Sequence, residues 1–378
     1  MAFPGFLADY TVQTVIVGAS LLGLCSGALG CFAVLRQQSL LGDALSHAAL
    51  PGIAIGFLLF GSRQLSILLS GALVAGVLAA LLIVLLTRRS RLKTDAALGI
   101  ALSLFFAVGV VLLTHIQNRE NASQAGLDAF LFGQAAAMLR QDLWILGTVT
   151  ATALLLVISF WKEFKVVTFD PDFASSLGLP VTALEIVLTT MIALAVVIGL
   201  QMVGVVLMAA MIIAPAAAAR QWTHRLETML ILAMVFGAVS GITGALLSSL
   251  ARGLATGPLI VLTASGLVLF SILFATRRGI LWTAIHARRQ HANLITQHVL
   301  TTLYQLAQNH HNPAYRTEQG MVVSYYGDAG NRALSELDRL GYVKPARHLP
   351  EEGTHWILTA AGIKEAERIL ASLHPVES

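Results

Sequence analysis

Nine apolar runs follow one another between residues 11 and 275 and limit what this chain can fold into. Each approaches the length of about 20 apolar residues that an α-helix needs to cross a bilayer. Only 12% of the residues are charged, whereas about 25% are charged in an average soluble domain. We therefore predict an all-α polytopic membrane protein with eight or nine transmembrane helices. The runs are 11–35, 40–60, 65–86, 96–115, 143–160, 181–200, 203–219, 228–250 and 258–275.

The number of spans depends on the sixth and seventh runs, because little polarity separates residue 200 from residue 203. A polar stretch, 117–142, follows the fourth run and contains an amphipathic segment at 127–133. Residues 161–180 are not apolar enough to span. The remaining connections are short, as expected for helices that pack next to their neighbours in sequence.

Basic residues are concentrated in alternate breaks between the runs, which predicts the orientation of the chain. Cytoplasmic loops of membrane proteins carry an excess of Lys and Arg. The basic breaks therefore lie in the cytoplasm, the N-terminus lies outside, and the C-terminal tail is cytoplasmic. These breaks are at residues 36, 88–93, 162–165, 220–225 and 277–278.

An acid and a histidine, Asp43 and His47, lie four residues apart near the start of the second run. Residues i and i+4 share one face of a helix, so their side chains converge. Ionisable groups in a membrane mark ion paths, and a carboxylate with an imidazole suits Mn, Fe or Zn. The alternative is a helix-start pair in which Asp43 accepts a hydrogen bond from His47. Pro51 and Gly52 on the same run favour a transport site, because broken helices line such sites.

The string from Asp43 to Gly52, DALSHAALPG, resembles the signature of metal-ion ABC importer permeases, which serve bacterial manganese, zinc and iron uptake. The resemblance implies a multi-pass protein of the bacterial plasma membrane, surrounded by lipid. It implies that Asp43 and His47 bind the metal ion as a transported substrate, with no permanently bound cofactor. It also implies three protein partners: a cytoplasmic ABC ATPase, an extracytoplasmic metal-binding protein, and a second permease copy or paralogue.

The sequence contains no GxxxxGK[ST] phosphate-binding loop, so we expect ATP hydrolysis on a separate subunit and no enzymatic activity in this chain. Asp43 and His47 from two permease copies would then form a transient site or gate. Neutral imidazole and ionised carboxylate are the metal-binding forms, so transport should weaken as the histidine protonates.

A short helix is predicted in the break after the fifth run. The Asp-Pro pair is a helix-entry pattern, and a glycine followed by a proline is typical of a helix end. An isolated helix this short is unstable in water, so it either docks on a partner or is an ordinary loop helix. The spacing resembles the coupling helix with which ABC importer permeases engage their ATPase. The matching residues are Asp170, Pro171, Asp172, Ala174 and Gly178.

The seventh run, 203–219, also resembles the same family through Gly204 and Pro215. Proline bends a helix, and small residues allow helices to approach closely. We interpret Gly204 and Pro215, together with Pro51 and Gly52, as residues that pack or kink helices.

The last quarter of the chain differs from the rest. It is polar and balanced in charge, and it holds most of the 11 histidines. We predict a permease domain at 1–280, a linker helix at 281–294 and a small α+β domain at 295–378. The predicted order is helix, helix, strand, loop, strand and helix. This order, and especially residues 356–366, resembles winged-helix domains of metal-responsive regulators.

The composition of the tail does not strongly indicate that it binds nucleic acid or metal. DNA-binding domains usually carry a basic excess, which this tail lacks, so we do not expect it to bind nucleic acid. A cytoplasmic metal-sensing site is one hypothesis, and ordinary surface histidines are the alternative. The histidines concerned are His298, His310, His311 and His355, with His348 and His374 nearby in sequence.

Two other functions remain open at this point. In a proton-coupled secondary metal transporter, Asp43 and His47 would relay protons, but such a carrier has no need of a coupling helix. In a membrane-anchored metal-responsive regulator, the tail would be the working part, and Asp43 and His47 would be dispensable.

Overall fold

The computed structural model describes residues 10–61, 65–117, 133, 135, 138–250, 254–276, 279–347 and 354–373. The chain divides into two compact units with the boundary between Ile280 and Leu281. Most of the predicted amphipathic segment at 127–133 lies outside the described residues, as do His348 and His374.

The first unit is helical throughout the part that the structure describes. Eight of its helices are long and apolar enough to cross a membrane, which confirms the predicted fold class. These eight are α1 to α5, α8, α10 and α11. The helices are α1 Tyr10–Leu35, α2 Leu41–Phe60, α3 Leu65–Arg89, α4 Thr94–Gln117, α5 Arg140–Ser159, α6 Trp161–Phe169, α7 Pro171–Ser176, α8 Val181–Val203, α9 Val205–Trp222, α10 Leu226–Leu250 and α11 Thr256–Phe274.

A single residue, Gly204, separates helices α8 and α9, which correspond to the sixth and seventh predicted runs. Its backbone angles, φ 90° and ψ 163°, lie in a region that glycine enters without the steric cost of a Cβ. The chain reverses here, since a Cβ on Gly199 would collide with the side chain of Met208. The predicted start of the seventh run at residue 203 is thus corrected to Val205.

The helices of the first unit approach one another through glycine. A Cβ on Gly23 of α1 would collide with the backbone carbonyl of Gly237 on α10, and the reverse is also true. Gly52 of α2 and Gly71 of α3 face each other in the same way. Small residues at such crossings bring the helix backbones together. In lipid the hydrophobic effect does not drive helices to associate, so van der Waals contact stabilises the bundle instead.

The second unit combines helices with a small antiparallel sheet in the order β1-β3-β2. Strands β2 and β3 pair with Lys344 opposite Ile357, and the sheet covers a core that includes Leu303, Leu334 and Leu337. The predicted small α+β tail is confirmed. The elements are β1 Thr317–Glu318, α13 Gln319–Tyr326, α14 Asp328–Arg339, β2 Val343–Arg347, β3 Thr354–Leu358 and α15 Ala360–Leu373.

Two features of the tail differ from the prediction. One continuous helix, α12 (Ile280–Asn309), runs through both the predicted linker at 281–294 and the first predicted helix. Strand β1 and helix α13 were not predicted, because each is too short to show a clear period. The winged-helix assignment itself stays a prediction.

Replacing Gly23 with alanine tests the close crossing of α1 and α10. We expect a loss of about 1–3 kcal/mol in the free energy of unfolding, because the new methyl group meets backbone that cannot move aside. The measurement is thermal unfolding in detergent, followed with a thiol-reactive dye. Both cysteines, Cys25 and Cys31, are buried, so the dye reports on unfolding.

Gly99→Ala is the matched control, because nothing lies within 4 Å of a Cβ added there. Alanine favours helix over glycine by up to about 1 kcal/mol, so Gly99→Ala should unfold at the same temperature or higher. Equal unfolding temperatures for Gly23→Ala and the unmodified chain would contradict the packing described here.

Candidate functional site

Asp43 and His47 converge on one face of α2, as the spacing predicted. The Oδ1 atom of Asp43 lies 3.3 Å from Nε2 of His47. The Asp43 side chain is 35% exposed and that of His47 is 20% exposed, so a small ion can reach the pair. Asp43 is in the first turn of α2, and the N-cap residue Leu40 supplies no side-chain hydrogen bond. The Asp43 carboxylate contacts His47 from this position.

The other side of the His47 ring is closed. The ring of Phe106, on α4, meets it edge to face with centroids 4.9 Å apart. The Nδ1 atom of His47 is buried and has no hydrogen-bond partner among the described residues. Permanent metal-binding histidines almost always donate this second N–H to a carboxylate, carbonyl or water, which fixes the ring and raises its basicity. Within the part of the chain that the structure describes, no residue gives His47 that support.

Pro51 lies inside α2, one turn beyond His47. Proline has no N–H, so the carbonyl of His47 lacks the helical bond that residue 51 would otherwise donate. Both neighbouring helices close on this point. A Cβ on Gly52 would collide with Gly71 of α3, and a Cβ on Gly109 of α4 would press on Pro51. At this site α2 therefore lacks one backbone hydrogen bond, while close contacts with α3 and α4 hold it in place.

The second proline, Pro215, lies inside α9. Close approach occurs just before it, since a Cβ on Gly30 of α1 would collide with the carbonyl of Ile212. Pro215 therefore lies close to a contact between α1 and α9, and Gly204 lies immediately before α9. Neither residue brings a ligand to the Asp43–His47 pair.

The pair alone makes only part of a coordination shell. No group of three or more His, Cys, Asp or Glu side chains that could hold a metal occurs in the described ranges. One carboxylate and one imidazole match the ligand preferences of manganese, iron and zinc, but four to six donors are usual for these ions. A full site on these residues would need ligands from solvent or from another chain.

A cluster of three charged residues, which was not predicted from the sequence, lies where α1 and α3 end and α8 begins. Glu185, one turn into α8, is buried at 7% exposure. Its Oε1 lies 2.6 Å from Nη2 of Arg36, and its Oε2 lies 2.6 Å from Nε of Arg88. The local sequence shows only an acid one turn into an apolar run, and its partners are distant in sequence. No local signal could have found this cluster.

The predicted coupling segment folds as two short helices, α6 and α7. Asp170 caps α7, because its Oδ1 accepts a hydrogen bond of 2.9 Å from the Phe173 amide, and Pro171 occupies the first turn. Gly178 ends the segment with φ at +79°, and the Leu179 amide bonds back to the carbonyl of Ala174. The side chain of Ala174 is fully buried. Asp172 is exposed and adds an acid to the first turn, where negative charge is favourable.

Three large apolar side chains on this segment are exposed. Phe169, Phe173 and Leu177 are between 53% and 58% exposed, and they repeat every fourth residue. Phe173 on α7 and Leu177 at its C-terminal cap lie one turn apart, whereas Phe169 ends α6. Exposed apolar side chains grouped in this way mark protein or membrane contacts. The neighbouring carboxylates of Asp170 and Asp172 disfavour burial of this group in lipid.

The tail histidines lie on separate elements. His298 is exposed on α12, whereas His310 and His311 follow the end of that helix, and His310 stacks on Tyr315 with centroids 4.1 Å apart. His355 is buried on β3. Over the ranges that the structure describes, these residues form no metal-binding group of three or more.

Comparison with known proteins gives the family. The model of the ABC 3 transport family matches residues 8–275. The manganese transport system membrane protein MntC of Bacillus subtilis (strain 168) is 50% identical over 293 residues, which cover 78% of this chain and 67% of that protein. The zinc transport system membrane protein TroC of Treponema pallidum (strain Nichols) is 46% identical over 282 residues, which cover 75% of this chain and 95% of that protein.

A solved structure agrees with these relatives. PsaBC from Streptococcus pneumoniae in complex with Fab superimposes with a TM-score of 0.63 at 35% identity, over 73% of this chain and 95% of the matched chain. The helical unit is therefore that of a multi-pass permease subunit of an ABC transporter. The chain belongs to the ABC 3 transport family, which confirms the resemblance seen in its sequence.

Proposed function

We propose that this chain is the membrane permease subunit of an ABC importer for divalent transition-metal ions. An extracytoplasmic binding protein would deliver the ion, and a separate ATPase would supply the energy. The observation that carries the proposal is the Asp43–His47 pair, 3.3 Å apart and partly exposed on the weakened helix α2. In a family of permeases, a carboxylate and an imidazole at such a point suit the passage of a metal ion.

The geometry suits transient binding. A transport site must release its ion, so an incomplete shell is an advantage. Nε2 of His47 and the Asp43 carboxylate would contact the ion, and the unsupported Nδ1 keeps His47 a weaker ligand than a structural histidine. Binding also requires Nε2 to be free of a proton, since only a neutral nitrogen with a free lone pair ligates a metal.

A second copy of the permease would complete the shell. Phe106, which contacts His47, lies on a face of α4 that is apolar and exposed in the single chain. A two-fold arrangement through this face would bring two Asp43 and two His47 side chains to one point. The exposed apolar residues that share this face are Phe106 and Val110, one turn apart on α4.

The orientation follows from the basic breaks. With the N-terminus outside and the tail in the cytoplasm, α7 and the Arg36–Glu185–Arg88 cluster lie on the cytoplasmic side. This placement puts the exposed apolar side chains of Phe169, Phe173 and Leu177 where an ATPase would dock. The acidic Asp170 and Asp172 beside them favour a partner surface that carries basic residues.

The ion is a divalent first-row metal. One carboxylate oxygen and one imidazole nitrogen accept manganese, zinc and iron(II) alike. MntC and TroC are named for manganese and zinc transport respectively. All three ions therefore belong in the uptake assay, with manganese tested first.

Asp43→Asn and His47→Ala test the metal path. In proteoliposomes that hold this chain with its ATPase and its binding protein, we expect ATP-dependent Mn²⁺ uptake to fall by about tenfold or more, because each change removes a ligand. The measurement is initial uptake of radioactive manganese. Proteoliposomes without the ATPase should take up none, which distinguishes this importer from a proton-driven carrier.

Asp95→Asn is the matched control. Asp95 is an exposed acid in the first turn of α4, the position that Asp43 occupies in α2. Its replacement makes the same chemical change without touching the pair, so uptake should stay at the level of the unmodified chain. Full uptake by both Asp43→Asn and His47→Ala would refute the proposed path.

Asp170→Ala and Phe173→Ala test the docking role of α7. Loss of the Asp170 cap should cost about 1 kcal/mol of helix stability, or about a fivefold loss in ATPase binding if the helix must be folded to dock. Phe173→Ala removes an anchor from the exposed group and should weaken binding further. The measurement is the affinity of the purified ATPase for this chain in lipid nanodiscs.

Asp170→Asn should bind the ATPase more tightly than Asp170→Ala, because asparagine caps helices about as well as aspartate and only the charge is lost. Unchanged affinity in both Asp170→Ala and Phe173→Ala would show that the ATPase docks elsewhere.

A further inference from the structure

Glu185 joins three helix ends through two separate ion pairs. Its two carboxylate oxygens are each 2.6 Å from a different guanidinium, that of Arg36 beyond the end of α1 and that of Arg88 at the end of α3. Charge-assisted hydrogen bonds of this kind are short, directional and strong, and arginine holds a carboxylate more rigidly than lysine does. The side chains of Arg36 and Glu185 are 11% and 9% exposed, so solvent screens this pair weakly.

Arg36 is attached to the start of the helix that carries the Asp43–His47 pair. The turn from α1 into α2 is tight, since the Gln38 amide bonds to the carbonyl of Ala33 and the Leu41 amide to that of Gln38. Gln37 in this turn has φ at +57°, a conformation that non-glycine residues rarely adopt. A displacement of Arg36 is therefore transmitted to the first turn of α2, where Asp43 lies.

Glu185 is attached to the proposed ATPase-docking segment. It lies one turn into α8, which begins at Val181 only five residues after α7 ends at Ser176. The connection is bonded rather than loose, since the Val181 amide bonds to the carbonyl of Leu179 and the Leu184 amide to that of Pro180. A displacement of α7 therefore reaches Glu185 through a short, bonded segment.

We propose that Glu185 is a positioning residue that transmits movement of α7 to Asp43 and His47 through Arg36, with Arg88 holding the same carboxylate to α3. The inference rests on the proposed function, in which α7 docks on the ATPase and the Asp43–His47 pair passes the ion. Buried ion pairs contribute little net stability compared with apolar packing, but they can fix the relative positions of the groups they join. This cluster fixes the position of α7 relative to the Asp43–His47 pair.

The experiment compares Glu185→Gln and Arg36→Gln with the unmodified chain, each assembled with its ATPase and binding protein in proteoliposomes. Mn²⁺ uptake and ATP hydrolysis are measured in the same vesicles. We expect normal assembly and ATP hydrolysis, but a fall of about 3- to 30-fold in Mn²⁺ transported per ATP. The charge exchange of all three residues, Arg36→Glu and Arg88→Glu with Glu185→Arg, should recover part of that ratio, a result that lost stability alone does not produce.

Glu227→Gln is the matched control, because Glu227 forms an equally short ion pair, 2.6 Å from Lys165, at an exposed position. Its Mn²⁺-to-ATP ratio should not change. An unchanged ratio in Glu185→Gln, or a parallel loss of assembly, hydrolysis and uptake without recovery in the charge exchange, would overturn the relay.

The same vesicles separate failure of the relay from failure of the proposed function. If only the relay is wrong, the unmodified chain imports Mn²⁺ with ATP, Asp43→Asn abolishes import, and Glu185→Gln behaves like the unmodified chain. If the proposed function is wrong, the unmodified chain itself shows no ATP-dependent uptake of Mn²⁺, Zn²⁺ or Fe²⁺, and the relay falls with it.

Discussion

In a bilayer, the backbone polar groups must bond within the chain, and this constraint governs the membrane unit. Helices meet that need at the cost of presenting little but apolar side chains to one another, so association depends on close packing. Gly23 and Gly237 let α1 and α10 touch backbone to backbone, and Gly52 and Gly71 do the same for α2 and α3. Against this tightly packed background, a helix that contains a proline and two ionisable residues is conspicuous.

That helix is α2, and its exceptions lie together. Pro51 removes the bond that would satisfy the His47 carbonyl, while Nδ1 of His47 has no partner among the residues that the structure describes. The His47 carbonyl and Nδ1 are thus polar groups that lack these hydrogen bonds in an apolar setting. Their burial costs free energy unless a ligand or a second chain binds to them. Under the proposed function, an ion that binds here would gain two donors from each chain and lose them easily. This balance between capture and release is what a transport path needs.

The sequence predicted those parts of the structure that depend on local pattern. The apolar runs gave the spans, the i,i+4 spacing placed Asp43 beside His47, and the Asp-Pro and Gly signals bounded α7. Long-range contacts were not predictable. Nothing near Glu185 indicates that Arg36 and Arg88 would surround it, because those partners lie on other helices. The reversal at Gly204 was hidden since a positive φ at one glycine, rather than polarity, separates α8 from α9.

The central claim is that one chain builds half of a metal site and that two chains share one ion. Manganese binding to the purified complex, labelled with ¹⁵N-histidine, tests this claim most directly through pulsed electron paramagnetic resonance. The account predicts one Mn²⁺ for every two copies of the chain, with coupling to imidazole nitrogen that disappears in His47→Ala. One Mn²⁺ per chain, or nitrogen coupling that survives in His47→Ala, would contradict it.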